Sequence, residues 1–521
     1  MSQAFRPALR PDLQRKQDPG EPPSLYDPIT DRDLALGTIS ARLADLIDGQ
    51  RTVPELIALM QAADPDLDAA RVERTIRMLL LLLVLDGPGK DILARAAGLQ
   101  DGTLPLHIEH LPGIRFACQS SGECCQNYAF GPLRRSDVER LNSLDIAGKL
   151  PHVGPGPYTE EIETKQGKHH YLKTSDECCI FLGTDNRCGL HATFGAESKP
   201  DLCRLYPFQV QTTIAGTAYY DHGECASFSR ASQDGDTLHQ QLSWLRPLMG
   251  DDTTLYHPTV TLVPGLQCDY GYVLRLRDAL CALVEQVPGD EHQTLAAGAR
   301  MAQLFIDGLS TCPLEPGQPE ATLERVFGQP PASFVPAHPA GPAAFAALAA
   351  SAESQFAMAV PRVQLAKQSV RQVLSQRLAR QFCEVIYVVR VLAEARANGE
   401  PAPAEYADLL DRPCAPELTA ASRRSLRYQL FSPRLLLDER LLPALERVGL
   451  CHVVTQIGAR LAARTAGAPR VELEHFDLGH MLAMRMLRQH LSLTALSGGD
   501  PAVDSPERVF ALLAAAAELA T

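Results

Sequence analysis

The sequence predicts a mainly α protein with three domains: an N-terminal winged-helix-like domain, a loop-rich, metal-stabilised cysteine-cluster domain and a C-terminal helical domain. Its 521 residues suffice for about three domains of ordinary size. Apolar residues recur at helical spacing near both ends of the chain. Eight of the 14 cysteines lie between residues 118 and 225, where an even distribution would place about three.

Residues 1–24 are predicted to be a disordered tail. They contain no apolar run of the kind found in secretion signals, so we expect a cytoplasmic protein. The longest aliphatic run, Met78–Leu85, is far shorter than the about 20 residues that cross a bilayer, and we expect no membrane association. The 49 Lys and Arg against 62 Asp and Glu give a net charge of −13, which argues against nucleic-acid binding.

Residues 25–95 are predicted to form the winged-helix-like domain, with three short helices. The second helix begins at Thr52, which forms a capping box with Glu55. The third begins after Asp68, a typical N-cap residue. The first helix is indicated by an apolar stripe of Ile39, Leu43, Leu46 and Ile47.

The segment from Leu46 to Leu56, Leu-Ile-Asp-Gly-Gln-Arg-Thr-Val-Pro-Glu-Leu, resembles a stretch of PqqD-like domains. That resemblance implies recognition of a peptide in a ribosomal peptide-modification pathway. DNA reading is a second use of such a fold, but residues 27–90 carry seven Lys and Arg against eleven Asp and Glu, which argues against phosphate contacts. A plain packing or dimerisation module is the third alternative.

Residues 105–232 are predicted to form the cysteine-cluster domain. This region is loop-rich, with two short helical stretches at most. One of them is expected at Ser136–Leu144, with Ser136 as its cap and Glu139 three residues later. Because few apolar positions are periodic here, burial alone would barely stabilise the region, and a metal centre could supply the missing stabilisation.

The candidate metal ligands are thiols and one imidazole. Such groups bind zinc in sets of four, and four thiolates hold an iron–sulfur cluster. Adjacent side chains diverge in helices and strands, so we expect each cysteine doublet to bridge two centres or to provide one ligand and one spare thiol. The candidates are Cys118, Cys124, Cys125, Cys178, Cys179, Cys188, His191, Cys203 and Cys225.

A disulfide framework and inert buried thiols are the two alternatives to a metal site. A disulfide framework is typical of small secreted proteins, whereas this chain is long and has no predicted signal. Inert buried thiols would explain two or three cysteines but not eight at loop positions. A metal or cluster site is therefore the favoured hypothesis, and the six cysteines outside the cluster are interpreted as ordinary thiols.

The cysteine pattern resembles that of the cysteine-cluster family with the CxxCxxCC signature (YkgJ-like), described as zinc- or iron-chelating. The long helical C-terminus predicted for this chain is more similar to one branch of that family, the flagellin lysine N-methylases. Ser121 stands where the family has its second cysteine, and Cys178 could replace that ligand. The resemblance rests on Phe116-x-Cys118, Cys124-Cys125, Cys179-Ile-Phe-Leu182, Cys188-x-x-His191 and Gly195-x-Glu197-x-x-Pro200-x-x-Cys203-Arg-x-Tyr-Pro.

The methylase resemblance implies methyl transfer from S-adenosylmethionine to lysines of a flagellin-like protein, assisted by an iron–sulfur (4Fe-4S) cluster. Zinc is the other metal expected from the thiol pattern, and a ribosomal peptide is the substrate that the PqqD-like resemblance implies. Tyr128, Asp201 and Tyr206 are the polar candidates for catalysis beside the cysteines. The alternative is a non-catalytic zinc- or iron-binding module with a structural or sensory role. A storage role is disfavoured because the ligands do not occur in repeated units.

Residues 233–521 are predicted to be the helical domain. Its longest helix is expected at Arg362–Ala397, between Pro361 and Gly399. Further helices are expected near residues 271–287, 293–309, 437–466 and 478–493.

Overall fold

The structure is a computed structural model, and it confirms a mainly α protein with 57% helix and 14% strand. Within the part of the chain that the structure describes, the buried apolar residues form one large core and two smaller ones, the latter within residues 25–85 and 130–190. The described residues are 5–17, 21–105, 108–126, 130–164, 167–175, 178–214, 216–221, 223–248, 259–287, 291–336, 338–365, 376–432, 440–488 and 505–519.

The N-terminal part contains the three predicted helices and a sheet that the sequence did not predict. Thr52 and Glu55 form the capping box, and the Asp68 carboxylate accepts from the Ala70 N–H. The three strands form an antiparallel sheet in the order β1-β2-β3. The elements are β1 (Gln14–Lys16), β2 (Ser24–Asp27), β3 (Arg32–Ala35), α1 (Thr38–Leu46), α2 (Val53–Ala63), α3 (Ala69–Leu81) and α4 (Lys90–Gln100).

The prediction of a disordered tail over residues 1–24 is wrong for residues 5–17. Strand β1 pairs with β2, and Ala8 and Leu9 form bridges to Asp48 and Leu85. Arg10 is buried, and its guanidinium donates to the Asp27 carboxylate (2.6 Å) and to the Leu83 carbonyl (3.0 Å). The segment is ordered by partners far away in the chain, which its own polar composition does not reveal.

The middle region is more regular than predicted, because its described residues contain five short helices rather than two. Strands β10 and β11 pair antiparallel, and β4 joins β11 in parallel. The elements are β4 (Ile108–His110), β5 (Arg115–Phe116), α5 (Arg135–Ser143), α6 (Ile146–Lys149), β6 (Thr159–Thr164), β7 (Gly167–Leu172), β8 (Thr174–Ser175), β9 (Cys178–Cys179), α7 (Gly189–Phe194), α8 (Asp201–Leu205), β10 (Phe208–Thr213), β11 (Gly216–Asp221), α9 (Phe228–Ala231) and β12 (Asp236–Thr237).

Helix α5 lies one residue before the predicted Ser136–Leu144, and its cap differs from the predicted one. The Asp137 carboxylate, not Glu139, accepts from the backbone N–H of Arg134. Asp137 also accepts from the Asp201 N–H (3.0 Å), so it joins the N-termini of α5 and α8. This tertiary contact favours Asp137 as the capping carboxylate over Glu139, which is paired with Arg135 at the surface.

The C-terminal part is a bundle of helices with one β-hairpin. The single helix predicted over Arg362–Ala397 is wrong: residues 362–365 end α14, residues 376–397 belong to α15, and the two helices pack against each other. The elements are α10 (Leu238–Leu245), β13 (Thr259–Val263), β14 (Leu266–Asp269), α11 (Tyr270–Gln286), α12 (Glu291–Thr311), α13 (Gln318–Phe327), α14 (Pro342–Leu365), α15 (Gln376–Asn398), α16 (Ala407–Leu410), α17 (Glu417–Phe431), α18 (Leu441–Thr465), α19 (Leu473–Ala483), a π-helical turn (Met484–Arg488) and α20 (Pro506–Leu519).

Helices α18 and α19 approach closely where two glycines face each other. A Cβ added to Gly458 would lie 3.0 Å from the Gly479 Cα. A Cβ on Gly479 would lie 2.7 Å from the Ala459 nitrogen and even closer to the Thr455 carbonyl oxygen. These neighbours are backbone atoms that cannot rotate away, so the contact requires glycine at position 479.

We therefore predict that Gly479→Ala lowers the free energy of unfolding by about 1–3 kcal/mol through overpacking. Gly298→Ala in α12 is the matched control, since its added Cβ meets only the Leu280 side chain at 3.5 Å. Alanine favours helices, so this control should be neutral or up to about 1 kcal/mol more stable. Chemical denaturation measures both, and equal effects of the two substitutions would contradict the prediction.

Among the residues that the structure describes, none of the helices combines the length and the apolar character needed to cross a membrane.

Candidate metal centre

Four candidate cysteines lie in or against the small apolar core of the middle region. Cys179 is buried in this core, and Cys125, Cys188 and Cys203 pack against it from three other segments. The core also takes one or two apolar residues from each surrounding element, which explains why no periodic pattern marks it in the sequence. Its buried members besides Cys179 are Phe130, Leu133, Leu141, Ile146, Leu150, Tyr158, Leu172, Phe181 and Leu190.

The Cys124–Cys125 doublet lies in a single 3₁₀ turn, Glu123–Cys125, and its two Sγ atoms are 3.9 Å apart. Gly122 precedes the turn with φ +73°, and a Cβ there would lie 3.0 Å from the Asn186 carbonyl oxygen. This close approach holds the doublet beside the loop that leads into Cys188. The expected divergence of adjacent side chains is therefore wrong for this doublet, because a tight turn is neither a regular helix nor a strand.

The side chains of the second doublet point to opposite faces, as adjacent side chains in a strand do. Cys178 and Cys179 form β9, which pairs with β8, and alternate side chains leave Cys179 buried and Cys178 half-buried. A bridge from Gln126 to Cys178 ties this strand to the first doublet, and a bridge from Leu182 to Cys188 closes the loop that follows. The backbone thus connects the cysteine segments 124–125, 178–179 and 188 directly.

The thiols also influence one another electrostatically. A hydrogen bond between the Cys124 and Cys125 sulfurs lowers the pKa of Cys124 to about 7 and raises the pKa of Cys125. Burial raises the pKa of Cys179 to about 12, and negative charge at Cys188 or Cys124 adds to that rise. The pKa of Cys203 is raised mainly by burial and further by charge at Cys179, Cys188 and Cys124. These five thiols share one neighbourhood, here termed the thiol cluster.

Other predicted ligands lie outside the thiol cluster. Cys118 is exposed, and His191 is exposed on α7 although Cys188 caps that helix. Cys225 is buried, burial raises its pKa to about 12, and negative charge at Cys124 adds to that rise, so Cys225 borders the thiol cluster. Among the described residues, no three His, Cys, Asp or Glu side chains stand close enough to share one metal ion without movement.

The structure bears in different ways on Tyr128, Asp201 and Tyr206, the three polar candidates for catalysis. Tyr128 lies outside the described residues. The Asp201 carboxylate is paired with Arg134 and with Arg140, both at 3.1 Å, so it links α8 to α5. That arrangement gives Asp201 a structural part in positioning Cys203 on the same short helix. Tyr206 ends α8 with its hydroxyl buried.

Two cations beside the thiol cluster, Lys199 and Arg485, were not predicted from the sequence. Positive charge at Lys199 and Arg485 favours the thiolate of Cys124 and so contributes to its lowered pKa. Lys199 is four residues from Cys203, so proximity in sequence could have suggested it. Arg485 comes from the π-helical turn after α19 and donates to the Glu123 carbonyl at 3.2 Å. No local signal connects residues so far apart in the chain.

A buried acid lies on the same C-terminal segment. The Asp477 carboxylate accepts from the Ser229 N–H (2.7 Å) and the Ser229 hydroxyl (2.8 Å). Burial raises the pKa of Asp477 to about 7, although these hydrogen bonds and the charges of Arg230 and Arg424 oppose the rise. In the unfolded chain the group titrates near its ordinary value of 3.8.

The contribution of Asp477 to the stability of the protein should therefore fall as the pH rises from about 4 to about 7, because the unfolded state releases the Asp477 proton first. Asp477→Asn keeps the shape and the acceptor for the Ser229 N–H but cannot titrate. We predict that the variant loses less stability than the wild type across this window, as measured by denaturation at several pH values. Parallel profiles for the two proteins would contradict the prediction.

Comparison of this chain with known proteins found no matching family, curated protein or solved structure.

Proposed function

We propose that the thiol cluster binds a thiolate-ligated metal centre that organises the middle of the molecule. The observation that carries the proposal is the 3.9 Å separation of the Cys124 and Cys125 sulfurs. Two thiolates on one tetrahedral zinc ion, at about 2.3 Å each, lie roughly 3.8 Å apart. The pair thus already has the spacing of two ligands on a single ion.

The two remaining ligands of a four-thiolate site come from among Cys179, Cys188 and Cys203, which lie in or against the same small core as Cys125. A bound cation removes the cost of placing several thiolates together, because it offsets both the burial and the mutual repulsion that raise the pKa values of Cys179 and Cys203. Because no three of the described side chains stand close enough to share one ion, metal binding would require the segments that carry these thiols to move closer together. The centre would then supply stabilisation that a core of ten buried residues provides only in part.

The donor set favours thiolates over mixed thiolate and imidazole ligation, because His191 is exposed. Within that set, zinc with four thiolates and an iron–sulfur cluster are the two chemical options. In a 4Fe-4S cluster each thiolate binds a different iron, so the cysteine sulfurs lie farther apart than they do in a single-ion site. The Cys124–Cys125 spacing supports two ligands on one metal atom.

The experiment is metal and acid-labile sulfide analysis of protein purified without oxygen, together with its absorption spectrum. Colourless protein with about one zinc and no sulfide supports the single-ion site, and a brown protein with iron and sulfide supports a cluster. Folded protein that contains neither metal, and takes up neither when supplied, would overturn the proposal.

The site is chemically suited to a reducing compartment such as the cytoplasm, because all 14 cysteines are free thiols in the structure. A structural or sensory metal module is the role that the geometry supports best.

Methyl transfer from S-adenosylmethionine to lysines of a flagellin-like or ribosomal peptide is a further hypothesis, supported by sequence resemblance alone. It predicts a 14 Da mass increase on a lysine peptide that Cys124→Ser abolishes. A peptide-binding role of residues 25–95 belongs to the same hypothesis.

A further inference from the structure

The C-terminal bundle contacts the thiol cluster and the helix after Cys225 through three buried polar side chains. Asp477, His480 and Arg485 are each no more than 6% exposed, and all three lie on α19 or the π-helical turn that follows it. Burying such groups is costly unless each is held by defined partners. Their partners include the turn that carries Cys124 and Cys125, the short helix α9 that follows Cys225, and Ser425 of α17.

The first of these contacts is made by Arg485. Its guanidinium donates to the Glu123 carbonyl at 3.2 Å, in the first residue of the turn that contains Cys124 and Cys125. The side chain is fully buried, so solvent does not screen its charge effectively. Arg485 therefore fixes the backbone of the doublet and places a permanent positive charge beside its sulfurs.

The second group of contacts holds α9, the short helix that begins three residues after Cys225. Asp477 binds both the N–H and the hydroxyl of Ser229. The His480 ring lies against Phe228, with ring centroids 4.3 Å apart. The His480 Nδ1 is 3.1 Å from the Ser425 hydroxyl of α17, which orients the ring. The segment from Asp477 to Arg485 thus contacts both the turn that carries Cys124 and Cys125 and the helix that follows Cys225, 100 residues farther along the chain.

We propose that Arg485 is a positioning residue of the thiol cluster, and that the segment from Asp477 to Arg485 makes metal binding depend on the C-terminal bundle. This inference rests on the proposed function. Arg485 acts as an outer partner of the metal centre: it orients the Cys124–Cys125 turn through the Glu123 carbonyl and balances part of the negative charge of a thiolate-bound ion. The C-terminal bundle is consequently a part of the metal site rather than a separate unit.

The test is a titration of the full metal-free chain with Co²⁺, whose thiolate charge-transfer absorption reports both affinity and the number of sulfur ligands. We expect Arg485→Gln to weaken Co²⁺ binding about tenfold to a hundredfold, the usual effect of losing an outer partner of a metal ligand. Arg485→Lys keeps the charge and a donor and should restore much of the affinity. Arg485→Gln with wild-type affinity and absorption would overturn the proposal.

Arg277 provides the matched control for the loss of a buried arginine. It is 1% exposed on α11, and its ion pairs are with Glu109 and Asp278, away from the cysteine turns. Arg277→Gln should lower the stability of the protein and leave Co²⁺ affinity unchanged. If Arg277→Gln weakens Co²⁺ binding as much as Arg485→Gln does, then Arg485→Gln acts by general destabilisation of the protein. The inference then fails.

A second measurement separates this inference from the proposed function. In metal-free protein, labelling with a thiol reagent followed by peptide mass analysis reports the accessibility of each cysteine. Arg485→Gln should speed the labelling of Cys124 and Cys125 relative to Cys312, which is buried elsewhere. Faster labelling in a protein that binds no Co²⁺ would uphold the positioning role and refute the metal centre. Unchanged labelling and unchanged Co²⁺ binding would refute the positioning role.

Discussion

Replacing both Cys124 and Cys125 by serine is expected to abolish metal binding by the purified protein. The two sulfurs are 3.9 Å apart and provide half of a four-ligand set, and a serine hydroxyl is a poor ligand for zinc or iron. Metal analysis should show the metal content falling from about one equivalent to near zero. The melting temperature of the double variant should match that of the metal-free wild type, because both lack the same stabilising ion.

Cys414→Ser is the control for that experiment. Cys414 is exposed and lies outside the thiol cluster, in the C-terminal part of the chain. Its replacement should leave the metal content and the melting temperature unchanged. A double variant that retains its full metal content would exclude the Cys124–Cys125 pair from the site, and the proposal would then have lost its main support.

Arg32→Met is expected to cause the largest loss of stability among the substitutions considered. The Arg32 guanidinium donates to the Asp269 carboxylate (2.8 Å) and to the Leu82 carbonyl (2.6 Å). Asp269 is 1% exposed and caps α11 through the Gly271 N–H, so Arg32 fastens the N-terminal part to the C-terminal bundle. Removal of the cation leaves a buried carboxylate without its ion pair, which costs about 3–5 kcal/mol.

Lys16→Met tests whether the effect of Arg32→Met comes from burial. Lys16 lies on the neighbouring part of the same sheet and pairs with Asp33 at 3.0 Å, but both side chains are about half exposed. An exposed pair contributes less than about 1 kcal/mol, because water screens it. Denaturation of the two variants should differ clearly, and a small effect of Arg32→Met would show that the Asp269 carboxylate finds another partner or solvent.

Features determined by neighbouring residues were predictable from the sequence. The capping box at Thr52 and the cap at Asp68 were predicted correctly, because a cap depends on residues two or three positions away. The same rule misplaced the cap of α5, where the contact of Asp137 with the Asp201 N–H decides between two nearby carboxylates. Local rules fail where a distant segment competes for the same group.

The sequence by itself determined that the protein is mainly helical and that its cysteines concentrate between residues 118 and 225, since both follow from residue type and spacing. Only the tertiary structure decided which thiols are neighbours. It brings Cys124, Cys125, Cys179, Cys188 and Cys203 together, leaves Cys118 and His191 exposed, and adds Arg485 from 362 residues beyond Glu123. The physical reason is that contacts between distant segments depend on how whole elements pack, and short-range spacing carries no information about that packing.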